Sequence, residues 1–218
     1  MDKRKPPIRI LVVDDHPIVR AGIARLLQTE AGISVCGEAD TVPDAIRLAV
    51  TLVPDLAIVD ISLKDGTAFD VLRGLQEAAP KLPVIVLSVH DEALFAERAL
   101  RAGARGYLMK AGPSEALLQA VRQVLAGRVY VSDTVAQDLL ERLGHDVPPP
   151  GGRLGNLTDR ELDVFALIGQ GLSTAAIAKR LSVSVKTIET YRSNIKTKVG
   201  AKDASDLIRY ATAWNLLM

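Results

Sequence analysis

Cysteine, aromatic residues and long apolar runs are all scarce in this chain. The single cysteine, Cys36, excludes a disulfide framework within one chain, and its apolar surroundings predict a small buried residue. Aromatic residues make up 4% of the sequence against 48% apolar overall, so the core must be aliphatic. No apolar run approaches the roughly 18 residues that a membrane helix requires. The segment Met1-Asp2-Lys3-Arg4-Lys5-Pro6-Pro7 lacks the apolar centre of a signal peptide. A soluble, cytoplasmic protein with no membrane contact is expected.

What is present is an uneven charge. The 218 residues suit two domains. Residues 1–152 carry 17 Lys/Arg against 20 Asp/Glu, and residues 153–218 carry 10 against 6. The net +1 of the whole chain therefore hides an acidic first part and a basic last part, which points to two different partners.

The first part alternates strand and helix. Ile10-Leu11-Val12-Val13 is a continuous apolar run of the kind that a strand covered on both faces needs. Similar runs cover Ile33 to Glu38, Leu56 to Asp60, Pro83 to Leu87 and Gly106 to Met109. Between them, apolar residues recur at helical spacing: Ile18, Val19, Gly22, Ile23, Leu26 and Leu27 after the first strand, and Val71, Leu72 and Leu75 after the third. Thr41 with Asp44 reads as a capping pair, and Pro113-Ser114-Glu115 opens the fifth helix. Five such units imply right-handed crossovers and a doubly wound parallel sheet.

Ligands of such sheets sit beyond the carboxyl ends of the strands. Asp14 and Asp15, Asp60, Ser88 and Lys110 stand there. The strand order 2-1-3-4-5 would bring the acids together. Each residue alone has an ordinary explanation as a turn former, a helix cap or a solvated strand end. Together, three carboxylates at one rim require a cation, and oxygen ligands beside a phosphate site suit Mg²⁺. Asp60 is then the nucleophile that accepts a phosphoryl group, Lys110 helps to neutralise it, and the Ser88 hydroxyl donates to one of its oxygens.

The runs Leu11-Val12-Val13-Asp14-Asp15-His16, Val59-Asp60-Ile61-Ser62-Leu63, Leu87-Ser88-Val89-His90 and Gly103 to Lys110 resemble, in this order, the receiver domain of two-component response regulators. The resemblance covers residues 8–128 and implies a flavodoxin-like fold. It implies Mg²⁺ held by Asp15 directly, by Asp14 through water, by Asp60 and by the Ser62 carbonyl. It further implies phosphorylation of Asp60 and a switch pair formed by Ser88 and Tyr107. The family often has Pro where this chain has Lys64, which alters the loop after Asp60.

Residues 129–153 read as a connector, a helix to Leu143 followed by the Pro/Gly-rich stretch Gly144 to Gly152. Beyond it, Thr158-Asp159-Arg160-Glu161 forms a capping box, and short helices follow with Ser184 as an N-cap and Gly200 as a stop. Two helices joined by a tight turn within a basic unit read as a small all-α helix-turn-helix domain. In the helix after Ser184, Val185, Ile188, Ile195 and Val199 take one side, while Lys186, Thr187, Glu189, Thr190, Arg192, Ser193 and Lys196 take the others. Cations there suit phosphates, and short polar groups suit base edges.

Residues 154–218 resemble the LuxR-type helix-turn-helix through Leu157 to Glu161, Gly171-Leu172-Ser173, Ile177-Ala178 and Lys186 to Arg192. The resemblance implies that Glu189, Thr190 and Ser193 face bases. Lys186, Thr187, Arg192 and Lys196 would touch the DNA backbone, and Leu207, Ile208 and Ala211 would form a dimer contact. The whole chain resembles the NarL/FixJ class of response regulators. This implies a transcriptional regulator, not an enzyme, that is phosphorylated by a sensor histidine kinase, dimerises and binds promoter DNA, with RNA polymerase as a further partner. Two rivals stand beside it. One is a DNA-binding protein whose receiver is a scaffold independent of phosphorylation. The other is an aspartyl-phosphate hydrolase, disfavoured because such enzymes place a second acid two residues after the nucleophile, where this chain has Ser62.

Overall fold

The computed structural model describes residues 6–89, 92–144 and 157–216. Most of the expected linker, 145–152, and His90 of the third motif lie outside the described residues. The chain divides into two compact units, Met1–Leu139 and Leu140–Met218.

The first unit carries β1 (Ile8–Val13), α1 (Pro17–Leu27), β2 (Ile33–Ala39), α2 (Val42–Leu52), β3 (Leu56–Asp60), α3 (Ala68–Ala78), β4 (Val84–Ser88), α4 (Glu92–Arg101), β5 (Gly106–Met109), α5 (Ser114–Leu125) and the start of α6 (Asp133–Gly144). The strands form one parallel sheet in the order β2-β1-β3-β4-β5, the order assumed above to bring the acids together and not one that the sequence itself dictates. All five residues of β3 and of β4 are buried, which is why these runs show no alternation of polar residues. One face of the sheet packs Ile10, Ile58 and Ile85 against Leu27 of α1 and Val121 of α5. Full burial of each such side chain contributes about 1.5–3 kcal/mol.

Local chemistry fixes the helix starts. Thr41 accepts a bond from the Asp44 amide and caps α2. At the start of α3 the Asp70 carboxylate accepts from the Thr67 amide at 2.9 Å and from the Thr67 hydroxyl at 2.8 Å. The loop between β3 and α3 is tied to the turn before α2: Lys64 pairs with Asp40, and Asp65 accepts from the Val42 amide at 3.0 Å. Lys64 thus anchors this loop through an ion pair. Gly66 packs closely in this loop: a Cβ there would stand 2.5 Å from Val42 Cγ2 and force Val42 to shift.

Three details depart from the sequence reading. Ile18 is 89% exposed, since it lies about 140° around the helix from the buried Ile23. Cys36 is half-buried rather than buried. The pairing of β1 with β2 steps from Ile10↔Val35 to Leu11↔Gly37, so Cys36 is the extra residue of a bulge on an edge strand. Finally, Tyr130 pairs with Gly106 beside β5: the Tyr107 amide donates to the Tyr130 carbonyl at 2.9 Å, and the Tyr130 amide donates to the Arg105 carbonyl at 3.0 Å. The segment after α5 therefore covers the open edge of the sheet.

The second unit holds the end of α6, then α7 (Asp159–Gly169), α8 (Thr174–Arg180), α9 (Val185–Val199) and α10 (Ala204–Leu216). Each helix start is marked. Thr158 and Glu161 form the capping box of α7, Ser173 caps α8, Ser184 caps α9, and Asp203 accepts from the Asp206 amide at the start of α10. Gly200 closes α9 at φ 70°, a left-handed position that favours glycine. Phe165, Ile177, Ile188, Ile195 and Leu207 are each no more than 1% exposed and form the core.

Candidate functional site

β1 and β3 are neighbours with Val13 paired to Val59, so Asp14 and Asp60 leave the sheet side by side. Lys110 follows β5, two strand positions beyond β3, a gap of about 9.6 Å that only a long side chain spans. It does span it: Lys110 Nζ lies 2.7 Å from Asp14 Oδ2 and 2.7 Å from Asp60 Oδ2. Asp14 is 1% exposed and Asp60 5%. Burial pushes the Asp60 carboxyl up to about 6 against the pull of the Lys110 ammonium; the Asp14 charge adds to the rise, and the Ser62 amide opposes it. The other Asp14 oxygen accepts from the His16 amide at 2.8 Å, and the Asp14 carbonyl accepts from Arg20 Nη1 at 2.5 Å.

Ser88 is fully buried at the end of β4, and Tyr107 is fully buried on β5. Tyr107 pairs with Val86, which places Ser88 and Tyr107 diagonally on one face of the sheet. Around Ser62 the loop is closed by bonds from the Leu63 amide to the Gly66 carbonyl and from the Ala68 amide to the Ile61 carbonyl. Neither bond uses the Ser62 carbonyl.

In the second unit, Lys186, Glu189, Thr190 and Ser193 are exposed, and Thr187, Arg192 and Lys196 are partly exposed. All seven stand on α9 while Ile188, Ile195 and Val199 face the core. Val185, expected among the latter, is 46% exposed. It opens the helix, and a helical Cβ points back past its own N-terminus. Lys198 Nζ reaches Glu161 Oε2 at 2.6 Å, and the Thr158 amide donates to the same oxygen at 2.7 Å. Burial works against the charge of Glu161, but Lys198 and the two Thr158 donors hold its carboxyl below the usual range. One carboxylate thereby joins the start of α7 to the end of α9.

Residues 10–122 match the sequence model of the response regulator receiver domain, and residues 155–211 match that of the bacterial regulatory proteins of the luxR family. The response regulator GacA of Pseudomonas aeruginosa is 36% identical over 196 residues, 88% of this chain and 89% of that protein. The crystal structure of a LuxR-family two-component response regulator from Aurantimonas is similar with a TM-score of 0.60 at 33% identity, over 64% of this chain and 99% of the other. RcsB from Salmonella enterica, solved on promoter P1flhDC in the presence of the phosphomimetic BeF3−, gives a TM-score of 0.57 at 26% identity, over 93% and 97% of the two chains.

The chain belongs to the LuxR-type response regulators. This is a family of DNA-binding transcription regulators rather than enzymes. Among the described residues, no helix of this response regulator is long and apolar enough to cross a membrane.

The acidic rim of the response regulator fits a divalent metal. One donor atom each from Asp14, Asp15, His16 and Asp60 falls within 4.8 Å of the others. Three carboxylates against the single Lys110 ammonium leave a formal charge of −2, and the buried Asp15 Oδ1 has no hydrogen-bond partner. Oxygen donors with this net charge suit a hard dication.

Two of the three expected dimer residues correct the sequence reading. Leu207 is 1% exposed and Ala211 is fully buried, because this face of α10 packs on α7 inside the same unit. Ile208, at 44%, is the one of the three that is presented. Sequence reading missed Arg20, which holds the Asp14 carbonyl and pairs with Glu38 at 2.9 Å. Its place one helical turn after His16 was the available signal. The Lys198 partner of Glu161 was also missed, and a separation of 37 positions left no local sign of it.

Proposed function

We propose that this response regulator accepts a phosphoryl group on Asp60 from a sensor histidine kinase, then dimerises and binds promoter DNA in the cytoplasm. The observation that carries the reading is Lys110 Nζ at 2.7 Å from both Asp14 and Asp60, at the carboxyl end of the sheet. An Asp60 carboxylate oxygen attacks phosphorus, the phosphorus–nitrogen bond to the kinase histidine breaks, and the leaving imidazole takes a proton. Lys110 already faces the acceptor oxygen and keeps a cation beside the charge that arrives. Ser88 donates its hydroxyl to a phosphoryl oxygen, and Tyr107 packs behind it. Mg²⁺, held by the Asp15 and Asp60 carboxylates and the Ser62 carbonyl and through water by Asp14, would supply further neutralisation of the phosphoryl oxygens. The added charge biases an equilibrium between two packings of the receiver.

We divide the chain into a receiver, 8–128, a connector, 129–153, and a DNA-binding domain, 154–218. α9 enters the major groove. Lys186, Thr187, Arg192 and Lys196 bind phosphates, and Glu189, Thr190 and Ser193 face base edges. The Thr190 hydroxyl donates to the Lys186 carbonyl at 3.1 Å and so approaches a base as an acceptor. Ile208 contributes to the dimer contact, and RNA polymerase is the further partner at the promoter.

The test is DNA binding to enriched genomic fragments at fixed salt, with and without a small-molecule phosphodonor plus Mg²⁺, for wild type and Asp60→Asn. Tighter binding by the treated wild type alone is the expected result. Equal binding in all four conditions would overturn control by phosphorylation and leave a DNA-binding protein with a scaffold receiver.

A further inference from the structure

His16 is the donor of the acidic rim that the proposed chemistry leaves without a role. Its Nδ1 lies 2.7 Å from Asp15 Oδ1 and 3.4 Å from Asp14 Oδ1. Despite the first distance, Asp15 Oδ1 makes no hydrogen bond, because the ring is not presented along a donor direction. The two atoms lie close together in an ion-pair contact but without a hydrogen bond, a spacing that two ligands of one ion also adopt.

Nor does the imidazole serve the helix it precedes. His16 is the N-cap of α1, but its side chain makes no capping bond, and Pro17 needs no partner for a missing N–H. The hydrogen bond to Asp14 comes from the His16 amide at 2.8 Å, with the ring farther off at 3.4 Å. The four donors from Asp14, Asp15, His16 and Asp60 span up to 4.8 Å. An ion with bonds of about 2.1 Å separates opposite donors by about 4.2 Å, so a small contraction places Asp15, His16 and Asp60 on one centre, with Asp14 reaching it through water.

We propose that His16 is an additional metal ligand, and that it shifts the acidic site toward borderline divalent ions such as Mn²⁺, Co²⁺ or Zn²⁺ over Mg²⁺. This rests on the reading of Asp14, Asp15 and Asp60 as the metal site. Sites built of oxygen alone suit Mg²⁺, which gives up its waters reluctantly. An imidazole nitrogen adds affinity for the later divalent ions and little for Mg²⁺. The receiver would then sample which divalent ion is at hand, as well as whether a phosphoryl donor is present.

The test uses the full-length protein at about pH 8, above the ordinary imidazole range. Calorimetric titrations with Mg²⁺ and Mn²⁺ compare wild type, His16→Ala and Asp15→Asn. Since the His16 side chain is 67% exposed, alanine there leaves the core intact. His16→Ala is expected to weaken Mn²⁺ roughly tenfold or more while changing Mg²⁺ less than about twofold. Pulsed EPR of the Mn²⁺ complex should show an imidazole ¹⁴N coupling that His16→Ala removes. The chain holds three histidines, so His90→Ala and His145→Ala serve as controls and should keep the coupling. An unchanged Mn²⁺ to Mg²⁺ ratio, or no ¹⁴N coupling in wild type, overturns the role of His16 while the acidic site stands. Wild-type affinity retained by Asp15→Asn would instead overturn the metal site itself, and this inference with it.

Discussion

Asp60 is 5% exposed, and the residues around it come from the ends of four strands, Asp14 and Lys110 lying 96 positions apart. Lys186 and Ser193 are exposed and share one helix of 15 residues. Both regions are built on charged and polar side chains, yet they use them in opposite ways. In the acidic rim, low dielectric strengthens every interaction and makes an unbalanced charge costly, so a change of one charge can move the protein between states. On α9 the charges are solvated. They contribute little to stability.

Asp60→Asn should abolish the phosphodonor response altogether, read as loss of the mass increase of a phosphoryl group, with unmodified DNA affinity unchanged. Lys110→Ala comes next. It leaves buried carboxylates without their cation and should destabilise the receiver by about 3–5 kcal/mol in metal-free buffer, measured by urea unfolding. Mg²⁺ should recover part of that loss, and a variant as stable as wild type without metal would contradict the buried pair. The pH profile is third. Because the folded-state pKa of Asp60, about 6, lies above its ordinary 3.8, its contribution is fully present below the lower value and is lost as pH rises through the upper one. Metal-free wild type should lose up to about 3 kcal/mol between these limits relative to Asp60→Asn. Calorimetric melts of both proteins across that range check the sign. Smallest is Arg192→Ala on α9, which should weaken DNA binding about equally across sequences and reduce the salt slope by about 1. Any loss of receiver stability in that variant would blur the contrast between the two regions.

The same contrast explains what could be read before the structure. Strand ends are announced by apolar runs that stop at a polar residue, so Asp14, Asp60, Ser88 and Lys110 were found and the strand order then brought Asp14, Asp60 and Lys110 into contact. The exposed face of α9 follows from helical spacing within one element. Contacts between distant positions were not legible. The Glu161–Lys198 pair and the grip of Arg20 on the Asp14 carbonyl depend on how elements pack. The α10 face failed for the same reason: Leu207 and Ala211 look like dimer residues only while the packing of α7 against them is unknown.

Tyr130 lies eight residues beyond the end of the matched receiver region, at 122, yet its backbone is bonded on both sides to the last strand of the sheet. A receiver excised at residue 127, just past the end of α5, would keep its acidic rim and expose the amide of Tyr107 and the carbonyl of Arg105 along a bare edge. Such an edge recruits other chains, so this fragment should aggregate where one extended through residue 131 stays dispersed. The practical border of the module is set by one bridging residue, Tyr130, that no motif marks.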